Sequence, residues 1–152
     1  MKNPPNIETA EVVSPSVIRL HWSTGETLNV DLSDLPQRNK VFAKLANPAF
    51  FAKMERDEWG HGLGWPGGLD LGADRLYELC RMQAGLPTAE EFDAWMERNG
   101  LSLSVAAESL GMTRRMIAHY RTGSKPIPLV VGLACRGWEV QRGQLSHSAS
   151  RA

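Results

Sequence analysis

The chain has 152 residues, 17 basic and 17 acidic side chains, and a hydrophobic content of 42%. These values are typical of a globular protein with one domain or two small ones. No stretch approaches the roughly 18 apolar residues of a membrane span, and the start lacks the apolar segment of a secretory signal. We therefore expect a cytoplasmic protein with no membrane segment.

The charges are unevenly distributed along the chain. Residues 1–85 carry nine basic and eleven acidic residues, whereas residues 109–152 carry seven basic residues and a single acidic one, Glu139. A net charge of zero taken alone argues against nucleic-acid binding, but the local excess of basic residues favours it. Cys80 and Cys135 have no Cys or His at ligand spacing, so we interpret both as core residues and expect no metal site and no cofactor.

Three short runs rich in β-branched and apolar residues open the chain: Glu8–Val13, Val17–Trp22 and Thr27–Asp31. Turn residues separate them, and the last two predict a hairpin. Alternation in the second run places one set of side chains on the core face, namely Ile18, Leu20 and Trp22.

The next segment mixes short helical and strand patterns. Residues 39–45 have helical spacing, Phe50, Phe51 and Met54 predict a fourth strand running into Arg56, and residues 63–71 predict one strand with a glycine-rich bend. A helix is predicted over Ala73–Gln83, and its apolar residues are Leu76, Leu79, Cys80 and Met82.

Residues 8–80 resemble the DUF2442 family, a bacterial family of unknown function. The matching residues are Gly25-Glu26, Val30-Asp31-Leu32, Phe42, Leu45, Asn47-Pro48, Phe50-Phe51, Trp65-Pro66-Gly67-Gly68-Leu69-Asp70 and Leu76-Tyr77. The resemblance implies a small α+β domain over residues 7–83, an antiparallel sheet with one or two helices. It also implies an antitoxin-like role with a small toxin-like protein as partner.

Two clusters in this half could carry chemistry. His61 beside Asp57 and Glu58 would suit acid–base catalysis, but charged residues at a turn are usually solvated, so we expect no catalytic residue and no enzyme. A Gly-x-Gly-x-x-Gly pattern begins at Gly62, but no helix pattern follows it, which argues against dinucleotide binding. An aromatic pair flanks the glycines and predicts either a core edge or a protein contact: Trp59 and Trp65.

A linker over residues 84–87 precedes a helical half. Thr88 caps a helix over Ala89–Arg98, with Glu91 completing a capping box. Prolines start a further helix from Leu129 to about Val140, and a disordered tail is expected over residues 143–152. That helix is predicted to cover the core with Leu129, Val130, Leu133 and Val140.

Between these helices, residues 102–127 predict two short amphipathic helices joined at Gly111. Apolar residues recur every three or four positions in both: Val105, Ala106, Leu110, Ile117 and Tyr120. Thr113 can cap the second helix, whose other face is basic.

Residues 89–142 resemble the lambda-repressor-like helix-turn-helix family of bacterial regulators. The matching features are the spacing from Ala107 to Gly111, then Met112, Ile117, Tyr120 and the closing residues 123–128, GSKPIP. Ser104 departs from the pattern, since the family often carries Gln near the start of the first helix. The resemblance implies a helical-bundle DNA-binding domain over residues 88–142.

The resemblance also implies a function and a site. The expected function is sequence-specific binding of double-stranded DNA by a homodimeric transcription regulator. The alternative is a protein-interaction module whose sheet domain binds a small partner protein, with DNA binding secondary or lost. Base readout is expected from Thr113, Arg114, Arg115, Ala118, His119 and Thr122, and phosphate contacts from Ser102, Ser104, Arg121, Ser124 and Lys125.

Overall fold

The computed structural model describes the backbone of residues 4–151 and the side chains of residues 4–143. The chain is a mixed α+β protein that divides between Ala84 and Gly85 into two units. This division falls within the segment that the sequence predicts as a linker.

The first unit begins with an antiparallel sheet of three strands in the order β1-β2-β3. These strands are β1 (Ile7–Ser14), β2 (Val17–Trp22) and β3 (Thr27–Asp31). Ile18 pairs with Val30 across the sheet, and Ile18, Leu20 and Trp22 are fully buried, as their alternation predicts.

Short helical segments follow: α1 (Leu35–Arg38), a 3-10 helix (Lys40–Ala46) and α2 (Pro48–Phe51). The predicted strand through Phe50 and Phe51 is therefore wrong. The Asn47 side chain accepts hydrogen bonds from two N–H groups of α2, and Pro48 occupies its first turn. This Asn-Pro pair favours a helix start over a strand.

A second antiparallel sheet has the order β4-β5-β6, with β4 (Glu55–Arg56), β5 (Gly62–Trp65) and β6 (Leu69–Gly72). The stretch predicted as one bent strand is a hairpin, because Gly67 and Gly68 adopt φ of +87° and +82°. Helix α3 (Ala73–Gln83) packs its buried side into the core that both sheets share. Helix α3 buries Tyr77 and Arg81. Met82, which belongs to the apolar set of this helix in the sequence, is 59% exposed.

The second unit consists of four helices: α4 (Ala89–Arg98), α5 (Leu103–Leu110), α6 (Arg114–Thr122) and α7 (Leu129–Arg151). Its core contains Phe92, Trp95, Met96, Ala106, Ala107, Ile117, Tyr120, Ile127, Val131 and Cys135. Val105 was expected among them but is exposed, since Ala106 and Ala107 turn inward in its place.

Helix α7 differs from its prediction in two respects. Its backbone is helical through Arg151, where a disordered tail was expected from residue 143. The four side chains expected to cover the core are exposed: Leu129, Val130, Leu133 and Val140. Ile127 is buried just before the helix and sets its rotation, so that Val131 and Cys135 point inward instead.

The left-handed conformation of Gly60 supports a test of the fold. A Cβ at Gly60 would overlap the carbonyl oxygen of Ile7, whereas Gly67 has a similar positive φ and open space around it. Gly60→Ala should lower the free energy of unfolding by about 2–4 kcal/mol and Gly67→Ala by about 1 kcal/mol. Urea unfolding followed by circular dichroism measures both, and equal losses would contradict the close approach of Gly60 to β1.

Candidate functional site

Three local signals set the bounds of α5 and α6. The Ser102 hydroxyl accepts a hydrogen bond from the Val105 N–H at 3.1 Å, and the Thr113 hydroxyl accepts one from the Met116 N–H at 3.2 Å. Gly111 ends α5 in the left-handed conformation, with φ of +66°. Residues 111–113 alone separate the two helices, so capping chemistry determines where the second helix starts.

Packing determines which side of α6 faces solvent. Ile117 and Tyr120 are buried, and the Tyr120 ring meets Phe92 edge-on at a centroid distance of 5.8 Å. At 3.6 residues per turn, the side opposite this pair carries Arg115, Ala118 and Thr122.

Of the six residues predicted to read bases, Arg115, Ala118 and Thr122 lie on this outward side, Arg114 and His119 flank it, and Thr113 precedes the helix as its N-cap. Thr113, Arg114, Arg115 and Thr122 are exposed, while Ala118 and His119 are half-buried. The Thr122 hydroxyl donates to the Ala118 carbonyl oxygen at 3.0 Å, so part of its hydrogen-bonding capacity is already used within the helix.

Four of the predicted phosphate ligands are exposed: Ser102, Ser104, Ser124 and Lys125. The Ser124 hydroxyl is hydrogen-bonded to the Thr122 hydroxyl at 2.8 Å. Arg121 differs from them, because its Nε donates to Asp93 Oδ1 of α4 at 2.7 Å. This ion pair joins α6 to α4, so Arg121 is not a free cation in this structure.

Two further arginines also serve contacts inside the second unit. Arg98 donates two hydrogen bonds to the Glu139 carboxylate, at 2.8 and 2.5 Å, and Asn99 donates a third at 3.0 Å. The Arg98 and Asn99 hydrogen bonds lower the pKa of Glu139 to about 2. The Arg142 guanidinium lies 5.0 Å from the centroid of the Trp138 ring.

These contacts divide the basic residues into two groups. Besides Arg142, which lies against Trp138, four exposed basic side chains in the described part of the second unit have no acidic partner within ion-pair distance: Arg114, Arg115, Lys125 and Arg136. Three of them lie on α6 or just after it. The surface of α6 is thus a concentrated source of unpaired positive charge and hydrogen-bond donors.

The predicted aromatic contact in the first unit is not a pair. Trp59 is 70% exposed, but Trp65 is 5% exposed, and its indole N–H donates to the Phe51 carbonyl oxygen at 3.0 Å. Trp65 packs beside Phe51 in the core and is unavailable to a partner. Sequence spacing did not distinguish the two tryptophans, because the burial of Trp65 depends on α2.

The His61 cluster shapes a turn. The Asp57 carboxylate accepts hydrogen bonds from the backbone N–H groups of His61 and Trp59, at 3.1 and 3.0 Å. The bond from His61 is the largest cause of the lowered pKa of Asp57. The His61 ring lies 4.0 Å from the same carboxylate and is largely exposed.

An open groove of about 770 Å³ borders the second sheet. Gly64 of β5 pairs with Glu55 on one side and Asp70 on the other. Directly paired residues share a face, so two exposed carboxylates flank a glycine that exposes bare backbone. A Cβ on Gly64 would come no closer than 3.8 Å to its nearest neighbour, so packing does not require glycine there.

A buried polar network was missed by sequence reasoning. The Tyr77 hydroxyl and Arg81 Nη1 each donate to the Glu26 carboxylate at 2.5 Å. Burial, and then the hydrogen bond to Glu26, raises the pKa of Tyr77. The network ties α3 to the turn between β2 and β3, and the separation of 51 residues between Glu26 and Tyr77 explains why no local pattern revealed it.

These features define a mixed α+β protein. Its second unit exposes, on and just after α6, basic side chains that form no ion pair. Residues 7–82 match the family described as Protein of unknown function (DUF2442), which is half of the chain. The chain belongs to the DUF2442 family.

One solved structure is similar over nearly the whole chain. The crystal structure of Putative DNA Binding Protein NE0471 from Nitrosomonas europaea ATCC 19718 is 40% identical, with a TM-score of 0.65. The similarity covers 91% of this chain and 88% of that one. No curated protein shows significant similarity to the chain.

Within the described residues, no helix is long and apolar enough to cross a membrane. In the same part of the chain, no group of three His, Cys, Asp or Glu side chains could hold a metal ion.

The lowered pKa of Glu139 predicts a pH dependence of stability. The pKa of Glu139 is about 2 in the folded protein, compared with its ordinary value of 4.5. The ion pair with Arg98 therefore stabilises the fold fully above pH 4.5, and this stabilisation is lost as the pH falls towards 2. Glu139→Gln should lower the thermal midpoint at pH 7, and the deficit should shrink between pH 4.5 and 2. The matched control is Glu97→Gln, an exposed glutamate of α4. A deficit of constant size at every pH would contradict this role.

Proposed function

We propose that the protein binds double-stranded DNA by placing α6 in the major groove, as a bacterial transcription regulator of the lambda-repressor-like helix-turn-helix type. The observation that carries the proposal is a cluster of exposed cations without ion pairs: Arg114 and Arg115 in the first turn of α6, and Lys125 just beyond its end. Similarity to the Nitrosomonas europaea protein supports it. On this proposal the protein acts in the cytoplasm and has no catalytic step.

Base contacts fall to the outward side of α6. Arg114 and Arg115 carry the forked donors that match guanine O6 and N7, and the small Ala118 leaves room for a thymine methyl group. Thr113, His119 and Thr122 border this surface and add shorter polar contacts.

Phosphate contacts fall to the ends of the helices. Ser102 and Ser104 lie at the N-terminus of α5, and helix N-termini favour anions. Ser124 and Lys125 lie just beyond the end of α6 and would contact the same backbone. Arg121 takes a positioning role through Asp93, so its contribution to affinity is indirect.

Substitution of the unpaired cations tests this assignment. The probe is a duplex selected from a randomised pool by the parent protein. Arg115→Ala should weaken binding by about 1–3 kcal/mol and relax the preference at one base position. Lys125→Ala should weaken binding to all duplexes and lower the slope of log affinity against log salt by about 1.

The matched control is Arg38→Ala, which removes the same charge from an exposed position in the first unit. It should leave affinity for the selected duplex unchanged. Parental affinity in both the Arg115 and Lys125 variants would overturn the assignment of α6 to DNA.

A second candidate function is binding of a small protein, for instance a toxin-like one, by the first unit. It is favoured by the groove at Gly64, flanked by exposed Glu55 and Asp70, and by the exposed ring of Trp59. A glycine that packing does not require is typical of a strand which another backbone approaches closely.

Filling the groove tests this candidate. A protein that co-purifies with the parent from the native host should be lost from Gly64→Leu, because the added side chain occupies the space above β5. The control is Gly67→Leu, which adds the same side chain in the turn beside the groove. Its partner binding shows whether a loss of stability alone removes the partner. A partner retained at the parental ratio by the Gly64 variant would show that it binds elsewhere.

A further inference from the structure

The first unit also exposes basic side chains that form no ion pair. Residues 35–54 contain four basic residues and no acidic one, although residues 1–85 as a whole carry more acidic than basic residues. The four are Arg38, Lys40, Lys44 and Lys53. All are exposed, and in the described part of the chain none has an ion-pair partner. We call residues 38–53 the basic segment.

Buried side chains hold the middle of the basic segment on the first unit. Phe42 and Leu45 of the 3-10 helix lie in the core that both sheets share. Residues three apart lie on the same side of a 3-10 helix, so burial of this pair leaves the other two sides in solvent. One of these sides carries Lys40 and the other carries Lys44, and both lysines are exposed. The core therefore fixes where the two cations lie.

Aromatic rings lie beside two cations of this surface. Lys44 Nζ is 5.9 Å from the centroid of the Phe50 ring. The guanidinium carbon of Arg75, an exposed residue of α3, is 5.8 Å from the centroid of the Phe42 ring. A ring restricts a cation without removing its charge, so less conformational entropy is lost when the cation meets an anion. Arg75 thus adds a fifth cation beside the basic segment.

The exposed side chains decide which kind of anion fits. Binding to a lipid surface requires several apolar side chains beside the cations, whereas Val41, 67% exposed, is the one exposed large apolar side chain among residues 38–53, all of which the structure describes. Protein interfaces are depleted in lysine. Exposed lysines without ion pairs are typical of contacts with nucleic-acid phosphates. The surface therefore fits the phosphate backbone of a duplex.

We propose that the basic segment binds the phosphate backbone of DNA beside the site that α6 reads, independently of sequence. This role rests on the proposed function, because the second unit holds the duplex. Phosphates at that site are contacted by the serines and Lys125 of the second unit, so those open to the basic segment lie further along the duplex. Two sets of contacts within one chain raise affinity, because the second binding event is intramolecular.

Extension of the duplex tests this role. The full chain is titrated with the selected duplex, and with the same duplex extended at each end by about one helical turn of arbitrary sequence. Extension should strengthen parental binding at least about 5-fold. The variant carrying Lys40→Gln with Lys44→Gln should bind the unextended duplex as the parent does and lose this gain. Both side chains are exposed, so its circular dichroism should be parental.

Salt provides a second measurement on the extended duplex. The double glutamine variant makes two fewer phosphate contacts, so fewer counterions are released when it binds. When salt rises from about 50 to about 200 mM, the variant should lose about 10-fold less affinity than the parent.

Three comparisons make the result specific. Lys40→Arg with Lys44→Arg keeps both charges and should retain the gain from extension. Arg19→Gln removes an exposed cation that already lies 3.7 Å from the Glu11 carboxylate, and it should also retain the gain. Arg38→Ala removes a member of the basic segment, so it should reduce the gain while leaving binding to the unextended duplex unchanged.

A parent that binds both duplexes equally, or a double glutamine variant that keeps the parental gain, would overturn this role and leave the proposed function in place. A parent that binds neither duplex would overturn the proposed function, and this role with it. Binding to anionic phospholipid vesicles that requires Lys40 and Lys44, with no effect of these lysines on the extended duplex, would assign the surface to lipid instead.

Discussion

Burial of Ile117 and Tyr120 against the α4 side chains is the contact on which the arrangement of the second unit depends. Each residue of a helix is rotated by about 100° from the last, so fixing these two positions fixes every other one on α6. Arg115 then faces solvent, and turning it inward would bury an unpaired guanidinium at a high cost in free energy. Hydrophobic packing, rather than any attraction to a ligand, thus determines which side chains form the basic surface.

Internal contacts then decide which cations remain available. Arg98 and Arg121 pair with Glu139 and Asp93 and so join helices to one another, while Arg142 lies against Trp138 of its own helix. The other cations of α6 and of the loop after it, Arg114, Arg115 and Lys125, have no ion-pair partner in the described chain. A protein with no net charge can therefore present a locally basic surface, because its acidic residues are concentrated elsewhere or already paired.

Elements with strong local signals were predictable. The strands of the first sheet contain runs of β-branched and apolar residues, and β2 alternates between buried and more exposed side chains. Helices α4, α5 and α6 begin at capping residues whose side chains bond the first turn. Predictions failed where two elements compete for one apolar run. Phe50 and Phe51 suit a strand as well as a helix, and the cap at Asn47 decides for the helix. The glycines after Trp65 allow either a bend or a turn, and their positive φ values make a hairpin.

The sequence by itself determined the first three strands, the four helices of the second unit, the basic face of α6 and the family of the first unit, since each depends on neighbouring residues. Tertiary structure decided which apolar face of α7 is buried, that Trp65 belongs to the core, and that Arg121 has a partner. It also aligned Glu55 and Asp70 on either side of Gly64. These outcomes depend on residues far apart in the chain, whose contacts are set by helix rotation and strand register, and neither can be read from local spacing.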